Sequence, residues 1–274
     1  MAKSILITGC SSGIGFDAAQ TLKSRGWTVF AACRKAEDCT RLKEMDFHSP
    51  RIDYEDPDSI ERGLAEVFEA TGGKLDALFN NGAYAIPGLV EDLPTDALRT
   101  IFEANFFGWH DLTRRAIPAL RKSESGRIIQ CSSVLGFFAM KFRGAYNSTK
   151  FALEGLTDTL RLEMRHEDIH VILIEPGPIK TKIRENAIPH FEKWIDWESS
   201  AKRKLYDAAR HRLYEDTGPD PGELMPEAVT AKLIHALESP RPKARYYVTQ
   251  PTYVAGILRR MLPTRALDWF AQKG

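Results

Sequence analysis

The amino-acid sequence predicts an α/β protein built on a doubly wound parallel sheet. Short apolar segments alternate along the chain with longer segments whose apolar residues recur every three or four positions. Several short segments are apolar throughout, which is typical of strands covered on both faces, and the segments between them are long enough for parallel crossovers. No internal repeat or low-complexity linker interrupts this alternation. We therefore predict a single domain over residues 1–274.

Six segments are predicted to be strands and five to be helices. The predicted strands are Ser4–Thr8, Trp27–Ala32, Ala77–Asn80, Arg127–Ser132, Ile169–Glu175 and Tyr246–Thr249. The predicted helices are Gly13–Arg25, Pro57–Ala70, Thr95–Arg121, Ala145–His166 and Pro226–Glu238. Pro57 and Pro226 stand where the first turn of a helix tolerates proline.

Two stretches do not follow the alternation. Residues 182–225 carry Phe191, Trp194 and Trp197 among many charges, which predicts a helical lid over a binding site. The alternative is a pair of surface helices that bury their aromatic side chains. Residues 251–274 combine arginines with apolar residues. This segment is predicted to dock on the domain, and a membrane-surface helix is the alternative.

Composition excludes several classes of protein. Hydrophobic residues make up 43% of the 274 residues and charged residues 27%, which is typical of an ordinary globular protein and excludes intrinsic disorder. The 38 basic and 37 acidic residues nearly cancel, so we expect no nucleic-acid partner. Four cysteines without CxxC spacing indicate reduced thiols, and the N-terminus is too short for a signal peptide, so we expect a cytoplasmic protein. The sequence contains no run of 18 apolar residues, so no transmembrane segment is predicted.

A glycine-rich turn joins the first predicted strand to the first predicted helix. It reads Thr8-Gly9-Cys10-Ser11-Ser12-Gly13-Ile14-Gly15. Glycines let the backbone approach a phosphate closely, and the helix N-terminus supplies free N–H groups and the positive end of a dipole. In this position the turn indicates a nucleotide, although glycines also end strands for structural reasons.

The end of the second strand bears on the choice of cofactor. Folds that bind NAD usually place an acidic residue here to hold the ribose 2′-hydroxyl. This chain instead has Cys33-Arg34-Lys35, in which two cations are suited to a 2′-phosphate. We therefore predict NADP(H) as the cofactor, against the alternative of a solvated basic turn.

A tyrosine and a lysine four residues apart begin the fourth predicted helix. Tyr146 and Lys150 share one helical face, and a nearby ammonium lowers the pKa of a phenol. Such a tyrosine can exchange a proton with an alcohol or a carbonyl. The spacing alone also fits a surface tyrosine beside a surface lysine.

With these motifs in this order, the chain resembles the short-chain dehydrogenase/reductase family from Ser4 to about Thr181. The resemblance implies four catalytic residues, which are Asn105, Ser133, Tyr146 and Lys150. The choice of Ser133 over Ser132 follows from the family's spacing of thirteen residues before the tyrosine. The implied cofactor-binding residues are Gly9, Ser11, Ser12, Gly13, Ile14, Gly15, Arg34, Asp53, Asn81, Tyr146, Lys150, Ile179 and Thr181.

One motif departs from the family pattern. Where the family usually has Asn-Asn-Ala-Gly, this chain has Asn80-Asn81-Gly82-Ala83. Small residues are kept at both positions, so we expect the cofactor still to bind, although the geometry of the local turn is left open.

The resemblance also implies a reaction and an assembly. Hydride would pass between a nicotinamide and a carbonyl or carbinol carbon, with Tyr146 as proton donor or acceptor. The run after Tyr146 is most similar to members that act on steroids, retinoids and other lipophilic small molecules. The candidate pocket residues are Tyr84, Ile86, Leu135, Phe137, Phe138, Phe142, Phe191 and Trp194. A homo-oligomer is expected through the helices Thr95–Arg121 and Ala145–His166.

Two rival hypotheses remain. The sequence His166-Glu167-Asp168-Ile169-His170 spells the HExxH of zinc peptidases, but it runs into a predicted strand, so both imidazoles are not expected on one helical face. The other rival is a dinucleotide-binding sensor or scaffold without catalysis. A binding module has no need of all four implied catalytic residues, which argues against it.

Overall fold

The predicted strands pair into one parallel sheet. The computed structural model describes residues 2–215 and 217–272. Its strands are β1 (Ser4–Thr8), β2 (Thr28–Ala32), β3 (Ala77–Asn80), β4 (Gly126–Cys131), β5 (Ile169–Glu175) and β6 (Arg245–Tyr247). They lie in the order β2-β1-β3-β4-β5-β6, and every neighbouring pair is parallel. The doubly wound prediction is confirmed, with the change of direction beside β1.

Helices cover both faces of this sheet. They are α1 (Gly13–Ser24), α2 (Ala36–Glu44), α3 (Pro57–Thr71), α4 (Thr95–Phe102), α5 (Gly108–Leu120), α6 (Gly144–Glu163), α7 (Ile183–Trp194), α8 (Arg203–Tyr214), α9 (Glu227–Glu238), α10 (Gln250–Met261) and α11 (Thr264–Ala271). Along β1, Ile5 and Ile7 join one core cluster and Leu6 joins another, because successive strand residues point to opposite faces. Both faces are therefore buried.

Apart from shifts of one to three residues at the ends of predicted strands and helices, the structure differs from the sequence prediction in two helices. Helix α2 was not predicted, because it is mostly charged and buries only Cys39 and Leu42. The predicted helix Thr95–Arg121 is interrupted by a π-helical turn at Glu103–Phe107. The C-terminal segment forms α10 and α11, and its last two residues lie outside the described residues.

The stretch 182–225 contains α7 and α8, which contribute to a third apolar cluster beyond the carboxyl ends of the strands. In the described part of the chain, none of the helices is both long enough and apolar enough to cross a membrane.

Candidate active site

The glycine turn after β1 has no room for side chains. Gly9 and Gly13 have φ angles of 69° and 58°, which favour glycine. A Cβ on Gly15 would lie 2.4 Å from the Gly9 carbonyl oxygen. Ser12 precedes α1 in an extended conformation, and its side chain does not cap the helix. The first N–H groups of α1 therefore lack a side-chain acceptor, which suits an anion.

Asn81 and Thr8 brace this turn from the neighbouring strand. The Asn81 backbone donates to Thr8 Oγ1 at 3.0 Å, and Asn81 Nδ2 donates to the Thr8 carbonyl at 3.2 Å. The Tyr54 hydroxyl lies 2.6 Å from Thr8 Oγ1 and donates to Asn80 Oδ1 at 2.9 Å. The structure thus gives Asn81 a supporting position at the predicted cofactor turn.

The exchange of glycine and alanine after Asn81 has a steric consequence. A Cβ on Gly9 would lie only 2.6 Å from Gly82 Cα, so the two backbones are in close contact. A Cβ on Gly82 itself would approach Gly9 Cα to 3.3 Å, which is a tight fit. Glycine at position 82 relieves this contact, and the carbonyl of Gly82 is held by Trp109 Nε1 at 2.9 Å.

Cations surround the glycine turn on the side of β2. Arg34 is exposed and lies near enough to Glu55 to lower the pKa of that carboxyl, although burial raises it overall. Arg41, on α2, donates to the Ser11 carbonyl at 2.7 Å. Sequence reasoning missed Arg41 because it missed α2. The basic residues of α2, after position 36, were the feature of the sequence that could have indicated cations near the glycine turn.

Cys33 does not face the cofactor cleft. Its side chain is buried in the core beside Cys39, and burial raises the pKa of its thiol to about 12. Cys33 follows the second strand, where folds that bind NAD usually carry an acidic residue. In this structure a carboxylate at position 33 would be buried, whereas the side chain of Arg34 is exposed.

The remaining predicted cofactor residues occupy three places. Asp53 is partly exposed, and its carboxylate accepts from the Glu55 backbone at 3.2 Å. Ile14 and Ile179 pack against the core cluster under the glycine turn. Thr181 lies against that turn, since a Cβ on Gly13 would meet its Cγ2 at 3.1 Å. The loop after β5 and the glycine turn therefore lie against each other.

Three of the four predicted catalytic side chains meet at the start of α6. The Ser133 hydroxyl faces that of Tyr146. Lys150 Nζ donates to the Cys131 carbonyl at 2.9 Å and lies 5.5 Å from the centroid of the Tyr146 ring. Lys150 also lies 4.2 Å from the ring centroid of Trp109, a fully buried residue that sequence reasoning assigned only to the core face of a helix.

The pKa of Tyr146 differs from the sequence expectation. Burial raises it well above its usual range, and the nearby Ser133 hydroxyl offsets this only in part. Burial also lowers the pKa of Lys150, to about 8. The expectation of a Tyr146 pKa near neutrality is wrong for this structure, because desolvation of the phenolate outweighs the lowering by Ser133 and Arg143.

Asn105 lies in the π-helical turn between α4 and α5. Its Nδ2 donates to the Tyr84 carbonyl at 2.8 Å, and its Oδ1 accepts from the Tyr84 N–H at 3.2 Å. π turns are rare and occur often at functional sites. Here the turn directs Asn105 to the loop after β3, so that both groups of its amide are used by one residue.

Ser132, the alternative to Ser133, faces away into a buried ionic cluster. Its hydroxyl has no partner among the described residues, and it lies with Glu154 Oε1 beside Gly136. In the same cluster Arg245 binds the carboxylates of Glu154 and Glu175, and Asp158 at 2.6 Å. Burial and the Glu154 carboxylate raise the pKa of Glu175 to about 8.

The lid stretch packs over Tyr146. Tyr146 belongs to the third apolar cluster together with six of the eight candidate pocket residues. Those six are Tyr84, Ile86, Leu135, Phe142, Phe191 and Trp194. The prediction differs for Phe137, which stacks on Tyr247 at 5.4 Å, and neither it nor Phe138 is a member of the cluster.

The two lid helices are held differently. On α7, His190 stacks on Tyr84 with 3.9 Å between ring centroids and 8° between planes. On α8, the buried Tyr206 donates to Asp92 at 2.7 Å and accepts from the Leu89 backbone at 3.0 Å. Burial lowers the pKa of His190, and the positive charges of Arg34 and Lys193 lower it further. His190 was not predicted as a site residue.

The two histidines of the HExxH sequence lie on different elements. His166 ends a short 3₁₀ turn at Met164–His166, whereas His170 is on β5. The zinc hypothesis requires both on one helical face, and this geometry does not provide it.

Comparison with known proteins supplies a family context. Residues 3–191 match the family model described as short chain dehydrogenase. The chain is 40% identical over 272 residues to the oxidoreductase YbbO of Escherichia coli strain K12, covering 99% of this chain and 95% of that one. It is 32% identical over 271 residues to an NADPH-dependent 3-dehydrocapnine reductase of Ornithobacterium rhinotracheale, covering 96% and 94%. Among solved structures, a short chain dehydrogenase/reductase of Burkholderia phymatum in complex with NAD superposes with a TM-score of 0.77 at 22% identity, covering 93% and 92%.

Proposed function

Because this chain belongs to the short-chain dehydrogenase/reductase family and is an oxidoreductase of that family, we propose that it uses NADP(H) to interconvert a carbonyl and an alcohol on a lipophilic small molecule. The observation that carries this proposal is the convergence of Ser133, Tyr146 and Lys150 under an apolar lid. Asn105 lies on the other side of the same cluster, bound to Tyr84.

The residues of the cleft fit a dinucleotide. The space left by missing side chains at Gly9, Gly13 and Gly15, together with the N-terminus of α1, suits a pyrophosphate. Arg34 and Arg41 are the cations available to a 2′-phosphate. When bound, the nicotinamide would supply or accept the hydride. The NADPH dependence named for the 3-dehydrocapnine reductase also favours this cofactor.

The proton chemistry belongs to the side chains. In the direction of reduction, the Tyr146 phenol donates its proton to the oxygen of the carbonyl, and Ser133 donates a hydrogen bond to the same oxygen. The raised pKa of Tyr146 keeps this phenol protonated at neutral pH, so the proton to be donated is present. Lys150 holds ribose hydroxyls and stabilises the charge that develops on Tyr146, and Asn105 positions the loop that carries Tyr84.

A turnover assay tests this function. Purified protein is mixed with NADPH or NADH and a panel of ketones, aldehydes, steroids, retinoids and a quinone, and loss of absorbance of the reduced cofactor is followed. We expect turnover with NADPH and a lipophilic carbonyl compound. Binding of NADPH without turnover of any member of the panel would favour the sensor or scaffold hypothesis instead.

We also propose that the protein is a homo-oligomer paired through the long helices. Exposed apolar side chains on them support this, namely Phe107 in the π turn and Phe151, Leu156 and Leu162 on and beside one face of α6. Sedimentation at micromolar protein concentration checks the proposal, since a mass near the 30.9 kDa of one chain would contradict it.

A further inference from the structure

Three arginines gather where the lid meets the start of α6. Arg143 immediately precedes α6, Arg184 lies in the first turn of α7, and Arg212 lies in the last turn of α8. Arg184 and Arg212 contact the same carboxylate oxygen of Asp220, at 3.3 Å and 2.9 Å. Arg143 lies within electrostatic reach of all three of these residues.

Among the residues that the structure describes, positive charge exceeds negative charge in this cluster. The charged groups that act on Arg143 there are the guanidinium groups of Arg212 and Arg184 and the carboxylate of Asp220. Within residues 2–215 and 217–272, Arg143 has no side-chain hydrogen bond or ion pair, and it remains partly exposed. Burial, and then repulsion from Arg212, lowers the pKa of Arg143. An incoming anion would relieve this repulsion and fill the donor fork of Arg143.

The position of Arg143 relates it to the reacting atoms. It is the N-cap residue of α6, three residues before Tyr146, and the two groups affect each other electrostatically. Its neighbour Phe142 has a φ of 61° and packs in the apolar cluster around Tyr146. The carbonyl of Phe142 accepts from the Gly88 backbone at 3.0 Å, which fixes this strained junction. Arg143 therefore lies at the polar border of the cluster that contains Tyr146.

We propose that Arg143, supported by Arg184 and Arg212, binds an oxyanion carried by the substrate, so that the enzyme selects carbonyl compounds with an apolar body and one acidic group. The acidic group is a carboxylate, sulfonate or phosphate, because each presents the oxygen pairs that a guanidinium fork binds. The inference rests on the proposed oxidoreductase function for the meaning of the site, but anion binding itself does not require turnover.

A matched pair of substrates separates the acidic group from the rest of the molecule. 4-Carboxybenzaldehyde and its methyl ester present the same aldehyde, and only the first is anionic at neutral pH. We expect wild-type protein to show a higher kcat/KM for the acid than for the ester. In Arg143→Gln the acid-to-ester ratio should fall about 10- to 100-fold, the equivalent of one charge-assisted hydrogen bond.

Two further variants control this measurement. Arg62→Gln removes an exposed arginine on α3 and should leave the acid-to-ester ratio at the wild-type value. Arg143→Lys keeps the charge without the planar fork and should give an intermediate ratio. An unchanged ratio in Arg143→Gln, or a ratio in Arg143→Lys no higher than in Arg143→Gln, overturns the proposal.

A binding measurement keeps the test independent of catalysis. Thermal unfolding of wild-type protein is recorded with benzoate and with methyl benzoate. Benzoate alone should raise the Tm, and the rise should be lost in Arg143→Gln but kept in Arg62→Gln, which removes the exposed arginine on α3 instead. No rise in wild-type protein, or a rise that survives in Arg143→Gln, overturns the anion site. Failure of the proposed reaction would instead appear as absent turnover with this benzoate response intact.

Discussion

The Lys150 ammonium lies 4.2 Å from the centroid of the Trp109 ring and donates to the Cys131 carbonyl at 2.9 Å. A buried cation needs such partners, because the low dielectric of the interior favours its neutral form. The ring of Trp109 and one carbonyl oxygen do not fully compensate for the loss of hydration of the ammonium. The pKa of Lys150 therefore falls to about 8. The ammonium on which the proposed chemistry depends is thus held at a cost to stability.

This cost predicts a pH-dependent difference in stability between wild-type protein and Lys150→Met. Between pH 8 and the ordinary lysine value of 10.5, the unfolded chain keeps a proton that the folded protein has lost, so the contribution of Lys150 to stability rises with pH. The free energy of unfolding of wild-type protein minus that of the variant should rise by about 3 kcal/mol over this window.

Urea unfolding at several pH values from 7 to 10 measures this difference. Groups that titrate equally in both proteins cancel in the subtraction. A difference that stays constant or falls with rising pH would contradict the lowered pKa of Lys150.

Replacing the proposed proton donor should abolish most of the activity. Tyr146→Phe removes the hydroxyl and keeps the ring in its apolar cluster, so kcat should fall by about 10²- to 10⁴-fold while the Kd of NADPH stays near the wild-type value. Stopped-flow kinetics and fluorescence titration measure the two quantities. Tyr214→Phe, which removes a hydroxyl bound to the exposed Glu192, is the control and should keep wild-type kcat. A Tyr146→Phe enzyme with more than a tenth of the wild-type kcat would show that another group donates the proton.

The preference between NADPH and NADH should depend on Arg34 and Arg41. Either change to alanine should lower the ratio of kcat/KM for NADPH over NADH by about 10- to 100-fold, the equivalent of one charge-assisted contact to phosphate. Lys122→Ala removes an exposed lysine between α5 and β4, close to Gly73, and should leave the ratio unchanged. Cys33→Asp is not a clean test of this preference, because a buried carboxylate would also destabilise the fold. A wild-type enzyme that prefers NADH would contradict the assignment.

The glycine turn offers a matched pair of alanine substitutions. In Gly15→Ala the new Cβ would lie 2.4 Å from the Gly9 carbonyl oxygen, so the turn must distort and NADPH binding should be lost. In Gly155→Ala, within α6, the new Cβ meets nothing within 4 Å, and stability should rise by about 0.5–1 kcal/mol because alanine favours a helix. Calorimetric titration with NADPH and chemical unfolding decide the two cases. Equal binding by both variants would contradict the assigned role of the turn.

The buried cluster around Arg245 predicts opposite results for two substitutions. Arg245→Met leaves carboxylates unpaired in the interior and should lower the free energy of unfolding by about 3–5 kcal/mol at neutral pH. Glu175 has a pKa of about 8, so it is mainly protonated in the folded protein at pH 7, and Glu175→Gln should change stability little only below pH 4.5, where the unfolded chain is protonated as well. Because the pKa of Glu175 is higher in the folded protein than in the unfolded chain, the free energy of unfolding of the wild-type protein falls as pH rises from about 4.5 to 8. The glutamine variant should therefore gain relative stability over that range, and a relative loss would contradict the shift.

The strands and the order of the motifs could be predicted from sequence, because each depends on a few neighbouring residues. Ser4–Thr8 and Ile169–Glu175 are continuous apolar runs, and the structure gives both with the predicted bounds. Helix α2 was not predicted because only two of its residues are buried. Arg41, which lies on α2, was therefore not predicted as a site residue. The π turn at Asn105 was not predicted because apolar residues recur every three or four positions through it, as they do in an uninterrupted helix.

Burial was the other quantity that sequence could not supply. The spacing of Tyr146 and Lys150 is visible in the chain, but the sign of the tyrosine pKa shift depends on how completely the phenol is desolvated. Cys33 lies next to Arg34 in sequence, yet one side chain enters the core and the other is exposed. Arg143, Arg184 and Arg212 lie close together in the structure but far apart in the chain, so no local sequence pattern predicts their proximity.

The unequal attachment of the two lid helices bears on how molecules enter and leave. Moving α8 requires the buried Tyr206 to give up hydrogen bonds to Asp92 and Leu89, whereas α7 contacts the sheet side through packing and the stack of His190 on Tyr84. We expect α7 to swing outward while α8 stays in place. The residence time of a bound product would then depend on apolar contact with α7, and it should lengthen as the hydrocarbon part of the product grows.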